Sequence, residues 1–265
     1  MHARLVELRD RETIERFLAR SPQLHFYELG DLDPFYWPYT RWFGWRGADL
    51  EALCLVYAAM DVPTLLAFAE PQGMPALTHL LRALEPSLPP RLYAHLSPGL
   101  LEVFGGGWRT TPHGPHLKLV LAAPHALDRA DVSKVVPLGS ADLPAILELY
   151  ARSYPGNWFA PRMLETGLYR GVRNGSELVA IAGVHVYSSE QRIAALGNIA
   201  TDPRERRRGL ATAVTAALCL DLLPRADTIG LNVHAENASA RACYAALGFE
   251  AVADYDELLL ERTDA

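Results

Sequence analysis

Cysteine is scarce in this chain. Cys54, Cys219 and Cys243 are the whole set among 265 residues, and no two of them form a Cys-x-x-Cys pair. An odd, scattered set excludes a disulfide framework and a thiolate zinc site, and it fits a reducing compartment. A dominant charge sign is also missing. The chain holds 25 basic and 31 acidic residues, a net charge of −6. Residues 1–125 carry 11 of the basic and 13 of the acidic ones, so the halves do not differ in sign. Nothing in that balance calls for nucleic acid or an anionic membrane. No apolar run reaches the ~18 residues of a membrane helix. The first 20 residues include Arg4, Glu7, Arg9, Asp10, Arg11, Glu12 and Glu15, which excludes a secretory apolar core. The expected location is the cytoplasm. Neither GxxxxGK[ST] nor GxGxxG occurs, so the two common glycine-rich nucleotide loops are excluded.

Apolar material is plentiful. Half of the residues are hydrophobic and 21% are charged, a balance that folds rather than one that stays disordered. At ~150 residues per domain the length implies about two domains. The first is expected over residues 1–126 and the second over 132–265, with a linker in Ala122–Asp131, where periodicity fails around Pro124. In the first, Leu5–Leu8, Ala52–Met60, Thr64–Glu70, Arg91–His95 and Leu117–Leu121 read as strands. Leu77, Leu80, Leu81 and Leu84 make a helical stripe. Between them lies an aromatic stretch, His25–Trp45, expected to include a helix and to supply core, interface or the wall of an acceptor pocket. Asp31 and Asp33 at its edge read equally as solvated charges or as attractors of a cation.

The second segment repeats the order. Val132–Val136 is strand-like and Asp142–Tyr150 helical. Tyr169–Val172 and Leu178–Tyr187 flank Asn174-Gly175, a strong hairpin signal. Ile193–Thr201 is a strand, Leu210–Leu222 a helix, Thr228–His234 a strand and Ala238–Leu247 a helix, and Ala251–Leu260 forms one or two strands. The fold class is therefore α/β, with mixed and mostly antiparallel sheets flanked by helices.

One stretch carries the chemistry: Asp202-Pro203-Arg204-Glu205-Arg206-Arg207-Arg208-Gly209-Leu210-Ala211-Thr212. Pro203 ends a strand because it has no N–H for the ladder. Cations follow where a helix begins, the end at which they oppose the helix dipole. An anion there offsets that opposition. Gly209 lets a ligand approach the backbone, and the unpaired N–H groups of a first turn cradle linked phosphates. Downstream, Asn237 reads as an N-cap and Gly248-Phe249 as a left-handed stop. Ala240, Cys243, Tyr244 and Leu247 share a stripe, so Tyr244 on periodicity alone is a core aromatic. Cys243 lies on the same apolar stripe without a local histidine and reads as packing. His113-Gly114-Pro115-His116 reads as a loop, and no metal is expected.

Together, Pro203-x-x-Arg206-x-x-Gly209-x-Ala211 and Asn237-x-x-Ala240-x-x-x-Tyr244-x-x-x-Gly248-Phe249 resemble the GNAT superfamily of acyl-CoA-dependent N-acyltransferases. The strands around Ile199 and Leu231 look most like its glycine N-acyltransferase-like branch. The resemblance covers about residues 132–262. The first segment lacks the arginine–glycine signature and looks like a degenerate copy, as in two-domain members.

The resemblance implies acetyl-CoA as cosubstrate. Ile199, Ala200 and Thr201 would pair with its pantetheine arm, and Arg206, Arg207, Arg208, Gly209, Leu210, Ala211 and Thr212 would hold its pyrophosphate. Asn237 would sit near the arm. Tyr244 would lie near the sulfur and reprotonate the departing thiolate. A backbone N–H near Ile199 or Ala200 would stabilise the oxyanion of a tetrahedral intermediate, worth about 3–4 kcal/mol. Many relatives place a glutamate on the strand before the loop, but Ala194–Ile199 has no carboxylate. The base is therefore sought among His185, Glu190, His234 and Asn198 (as a water-holding group), or in a water chain. Tyr154, Trp158 and Phe159 fall where the superfamily often builds its acceptor site.

The expected function is N-acetyl transfer to a small-molecule or peptide amine by a monomer or homodimer. A non-catalytic acyl-CoA sensor and a transferase of longer acyl chains are the alternatives.

Overall fold

The computed structural model describes residues 3–263. In chain order the first half forms β1 (Arg4–Leu8), α1 (Arg11–Leu18), α2 (Phe26–Gly30), β2 (Thr40–Arg46), β3 (Leu50–Tyr57), β4 (Thr64–Ala67), α3 (Met74–Leu84), β5 (Arg91–Leu96) and β6 (Trp108–Leu121). The second half forms β7 (Val135–Leu138), α4 (Leu143–Ser153), β8 (Tyr169–Asn174), β9 (Glu177–Ser188), β10 (Ile193–Thr201), α5 (Leu210–Leu222), β11 (Thr228–His234), α6 (Ala238–Ala246) and β12 (Phe249–Arg262). The chain divides into two compact units. Unit 1 takes the residues up to Lys118, His234–Glu236 and those from Val252 onward. Unit 2 takes Leu119–Val233 and Asn237–Ala251. These are not two consecutive stretches, because the last strand of the chain belongs largely to unit 1.

In unit 1 the strands β1 to β5 lie side by side in order, and β12 follows β5. β12 is antiparallel to β5, with His95 opposite Glu257 and Leu92 opposite Leu260. β4 and β5 are parallel, Thr64–Ala67 against Tyr93–Leu96, as a strand–helix–strand crossover through α3 requires. The leucine stripe of α3 is sealed: Leu77, Leu80 and Leu81 are 0% exposed and pack with Leu65, Leu92, Ala94, Leu96 and Leu258. Each such leucine contributes about 1.5–3 kcal/mol. Asp10 caps α1 by accepting the Thr13 N–H at 3.2 Å.

Unit 2 is the sheet β7-β8-β9-β10-β11. Its only parallel pair among the described residues is β10 with β11. On one face lie Ile146, Leu149 and Tyr150 of α4, packed on Leu138, Tyr169, Leu178 and Ile181. A second helix, α5, buries Val214, Leu218, Cys219 and Leu222.

The expected edges of β10, α5 and β11 match the structure residue for residue. Four readings are corrected. The aromatic stretch contains a strand, β2, whose Trp42, Phe43 and Gly44 are buried in succession and so show no alternation. His113–His116 is not a loop but part of the long strand β6. Gly114 takes φ 90° there, and the Pro115 carbonyl accepts the Ala235 N–H at 2.8 Å. The segment Ala122–Asp131 is no free linker. Its Ala122 and Ala123 N–H groups donate to the Gly248 carbonyl at 2.9 and 3.0 Å, and Pro124–Arg129 forms 3₁₀ turns. Asp31, read as an edge charge, is 3% exposed.

Candidate active site

β10 and β11 pair from Ile193–Thr228 as far as Leu196–Leu231. Both strands continue, β10 to Thr201 and β11 to His234, but the paired register does not. The cause is visible on the other side of β10. Ala195 faces Val186, and Leu196 faces Val184, so His185 is an extra residue on β9. Gly197 faces Gly183, and Ala200 faces Ile181, so β10 in turn carries an extra residue in the Asn198–Ile199 step. Two opposed bulges restore the register but bend the strand between them.

Asn198 sits in the second bulge at φ 55°, a left-handed conformation that asparagine tolerates better than most residues. Gly197 is needed beside it, since a Cβ there would run into the His185 ring. The bulge is held from one face. Tyr150 Oη donates to the Asn198 carbonyl at 2.9 Å. Asn198 Nδ2 donates to Tyr169 Oη at 3.1 Å and reaches Met163 Sδ at 3.5 Å. Burial pushes both phenols well above their ordinary range, so both stay protonated donors. The sequence offered no signal for this clamp of Tyr150, Met163 and Tyr169, because its members come from three elements.

Past Thr201 the chain enters the arginine loop. Asp202 is 1% exposed and holds the loop's base. It accepts from the Arg204 N–H at 2.9 Å and pairs with the Arg204 and Arg152 guanidiniums at 2.9 and 3.0 Å. The Arg204 side chain, then its N–H and Arg152, hold this carboxyl far below its usual range. Arg208 is paired with Glu205. That leaves Arg206 and Arg207, both exposed, without an ion pair among the described residues. Not all three arginines at 206–208 are therefore unspent; Arg208 already has its counter-charge.

Arg207 and Gly209 have φ 62° and 74°. Left-handed residues in such a turn aim successive N–H groups at one point, a nest for an anion. A Cβ on Gly209 would meet nothing within 4 Å, so the space before the turn is open. No side chain caps α5. Its first helical bond runs from the Ala213 N–H to the Gly209 carbonyl at 2.9 Å. The N–H groups of Leu210, Ala211 and Thr212 precede any helical acceptor. Thr212 Oγ1 lies 3.2 Å from Cys243 Sγ, which ties the first turn of α5 to α6. Burial raises the Cys243 thiol, as suits packing rather than nucleophilic attack.

Tyr244 is 8% exposed and packs edge-on against Phe249 at 6.0 Å. Its hydroxyl makes no hydrogen bond among the described residues, and burial raises it well above the ordinary phenol range. Asn237 is exposed and caps α6, its Oδ1 accepting from the Ala240 N–H at 3.1 Å. Its amide nitrogen is not used in that cap. Ile199 is partly buried, Ala200 is 7% exposed, and Thr201 Oγ1 is buried without a partner. Phe159 joins the ring cluster of Tyr150 and Tyr169 at 5.2 and 5.9 Å, while Tyr154 is 46% exposed. Glu190 is exposed in the turn after β9.

His234, the last residue of β11, falls in unit 1. Its Nδ1 accepts the Glu236 N–H at 3.1 Å, and its ring meets His116 edge-on at 5.0 Å. A neutral ring accepting at Nδ1 carries its proton on Nε2, which leaves no lone pair for an ammonium. No group of three or more metal-type side chains among the described residues is arranged for a metal ion. No described helix is long and apolar enough to cross a membrane.

The chain has relatives among known proteins. The family model of FR47-like proteins matches residues 167–257. The [ribosomal protein bS18]-alanine N-acetyltransferase of Escherichia coli K12 is 33% identical over 123 residues, 44% of this chain and 81% of that protein. This relative is not a glycine N-acyltransferase. Two solved structures share the fold along nearly the whole chain. A Drosophila protein superposes with a TM-score of 0.70 at 15% identity, covering 98% of this chain and 99% of its own. A tandem GNAT protein from the clavulanic acid biosynthesis pathway gives 0.58 at 17% identity, covering 97% and 98%. The chain belongs to the GNAT family and is an acyl-CoA-dependent N-acetyltransferase.

Proposed function

We propose that the chain transfers acetyl from acetyl-CoA to a primary amine by direct attack, and that unit 2 holds the coenzyme. The observation that carries this reading is the uncapped start of α5 behind the left-handed Arg207 and Gly209. The N–H groups from Arg207 to Thr212 would take the pyrophosphate, with Arg206 and Arg207 adding charge-assisted contacts. The unpaired edge of β10 at Ile199, Ala200 and Thr201 would take the pantetheine arm as an added strand. Within the linear division into a degenerate half, 1–126, and a transferase half, 132–265, these residues all fall in the second.

The chemistry then assigns roles. The neutral amine nitrogen attacks the thioester carbon, and a tetrahedral oxyanion forms against a backbone N–H at Ile199 or Ala200. The attacking nitrogen releases its extra proton to solvent, and collapse forms the amide and expels the thiolate. Tyr244, kept protonated by burial, gives that sulfur its proton and recovers one from solvent. His234 is left out as a base because its Nδ1 is occupied. Asn198 serves as the bulge's anchor, its amide nitrogen donating to Tyr169 Oη. The acceptor class includes the α-amine of an alanine-ended peptide, by analogy with the Escherichia coli relative.

The test is calorimetry with acetyl-CoA followed by thiol release against a panel of amines and alanine-ended peptides. Heat of binding with thiol release is expected. Absence of heat at millimolar acetyl-CoA would sink the assignment, and heat without thiol release for any amine would leave a binding protein instead.

A further inference from the structure

Buried oxygens without a donor are costly, so they mark places where something else supplies the proton. Among the described residues such side-chain oxygens are Glu28 Oε2, Asn198 Oδ1, Thr201 Oγ1, Thr215 Oγ1 and Asn232 Oδ1. Glu28 has Lys118 Nζ at 3.7 Å. Of the rest, three lie on the stretches of β10 and β11 that run on beyond their last paired residues. Asn198 is already the anchor of the bulge, and Thr201 stands at the phosphate end of β10. Asn232 is different. It is the first residue of β11 past the Leu196–Leu231 pair, and it has no role in the fold that the hydrogen bonds reveal.

Its direction follows from the strand. Leu231 and Val233 are 1% and 6% exposed and point to one face. Alternation sends Asn232 to the other. An arm added along β10 would lie in the plane of the sheet and use backbone groups. A side chain standing normal to that plane does not address the arm. It addresses what approaches the thioester from the face of the sheet. An attacking nitrogen comes from there, since a carbonyl is attacked across its plane.

We propose that Asn232 Oδ1 accepts an N–H of the acceptor amine and holds the nitrogen's lone pair toward the thioester carbon. This rests on the transferase reading above. The role suits an amide oxygen, because it accepts a hydrogen bond from neutral –NH₂ and takes no proton from it. Neither Ile193–Thr201 nor Thr228–His234 contains a carboxylate. Asn232 is therefore the side-chain acceptor that β11 offers at the point where the strands part.

The test uses the full chain and Asn232→Leu, a near-isostere without the oxygen. Two readouts are independent. An oxygen awaiting a ligand leaves the coenzyme-free protein better off without it, so Tm of Asn232→Leu is expected to rise by a few degrees. With propylamine or an alanine-ended peptide as acceptor, kcat/KM for the amine is expected to fall about 10–100-fold. The acetyl-CoA dissociation constant should stay within about twofold. A lowered Tm would show a structural partner and overturn the proposal. An unchanged kcat/KM for the amine, or a parallel loss of acetyl-CoA affinity, would overturn it too. If the wild-type chain releases no thiol with any amine, the transferase reading fails by itself, and the Tm comparison still separates a waiting oxygen from a structural one.

Discussion

Each unit contains one parallel strand–helix–strand crossover, and the two are built to opposite ends. In unit 1, β4 stops at Ala67 and the gap beyond its pairing with β5 is stitched shut. The Ser97 N–H donates to the Ala67 carbonyl at 3.0 Å, and the Ala69 N–H donates to Ser97 Oγ at 3.1 Å. The helix that follows begins after exposed Glu70, and Pro71 and Pro75 remove two N–H groups from the approach to its first turn. In unit 2, β10 runs five residues past its last pairing with β11, from Gly197 to Thr201. Its helix starts behind arginines and a left-handed glycine, and no side chain caps it. In the proposed reading, the same supersecondary unit serves as packing in one place and as a cradle in the other. What separates them is whether the protein pairs its own polar groups, as at Ser97, or leaves them uncapped, as at the start of α5.

That contrast can be broken from the cradle side first. Gly209→Val puts a branched side chain at φ 74° and into the open space before α5. The backbone strain alone is about 1–3 kcal/mol. Calorimetry is expected to show no acetyl-CoA binding, and retained affinity would refute the nest. Tyr244→Phe keeps the packing on Phe249 and removes the acid. A general acid is worth about 10²–10⁴-fold, so kcat should drop about 100-fold with acetyl-CoA affinity unchanged. Equal losses in both would make Tyr244 a packing residue.

From the other side, the comparison sharpens with pH. Burial holds the His95 imidazole in unit 1 down at about 4, against the pull of Glu257. A histidine that stays neutral when folded loses to an unfolded chain that binds the proton. Its contribution is complete above about pH 6.5 and is lost as pH falls toward 4. Urea unfolding between pH 4 and 7 should therefore flatten in His95→Gln. Asp202 in unit 2 has the opposite sense of charge. Its carboxyl is held low, so its contribution persists through that window and fades only as pH falls below about 4. An Asp202→Asn chain that keeps the wild-type acid-unfolding profile would count against this. The smallest effect is expected of Ser97→Ala, about 1 kcal/mol of stability in urea with turnover unchanged. A gain of acetyl-CoA binding in that variant would mean the stitch alone had silenced unit 1.

Much of unit 2 was legible in the sequence because its signals are local. Pro203 ends a strand, Gly209 opens a helix and Asn237 caps another, each through its own backbone chemistry. The strand β2 was not legible, since Trp42, Phe43 and Gly44 are all buried and period-2 alternation vanishes. Gly114 and Pro115 hid β6 for the opposite reason: two residues that usually break strands are absorbed by a left-handed turn of the backbone and a carbonyl-only edge.

The sequence by itself determined the arginine–glycine start of α5, the α/β class and the family, because these depend on neighbours three or four residues apart. Tertiary structure alone decided that Arg204 is already paired with Glu177. It also decided that β10 leaves β11 at Leu196, that the Asn198 amide nitrogen donates to Tyr169, and that the last strand of the chain lies beside β5. Those facts depend on residues tens to more than a hundred positions apart, and only a folded sheet brings such residues within hydrogen-bond reach.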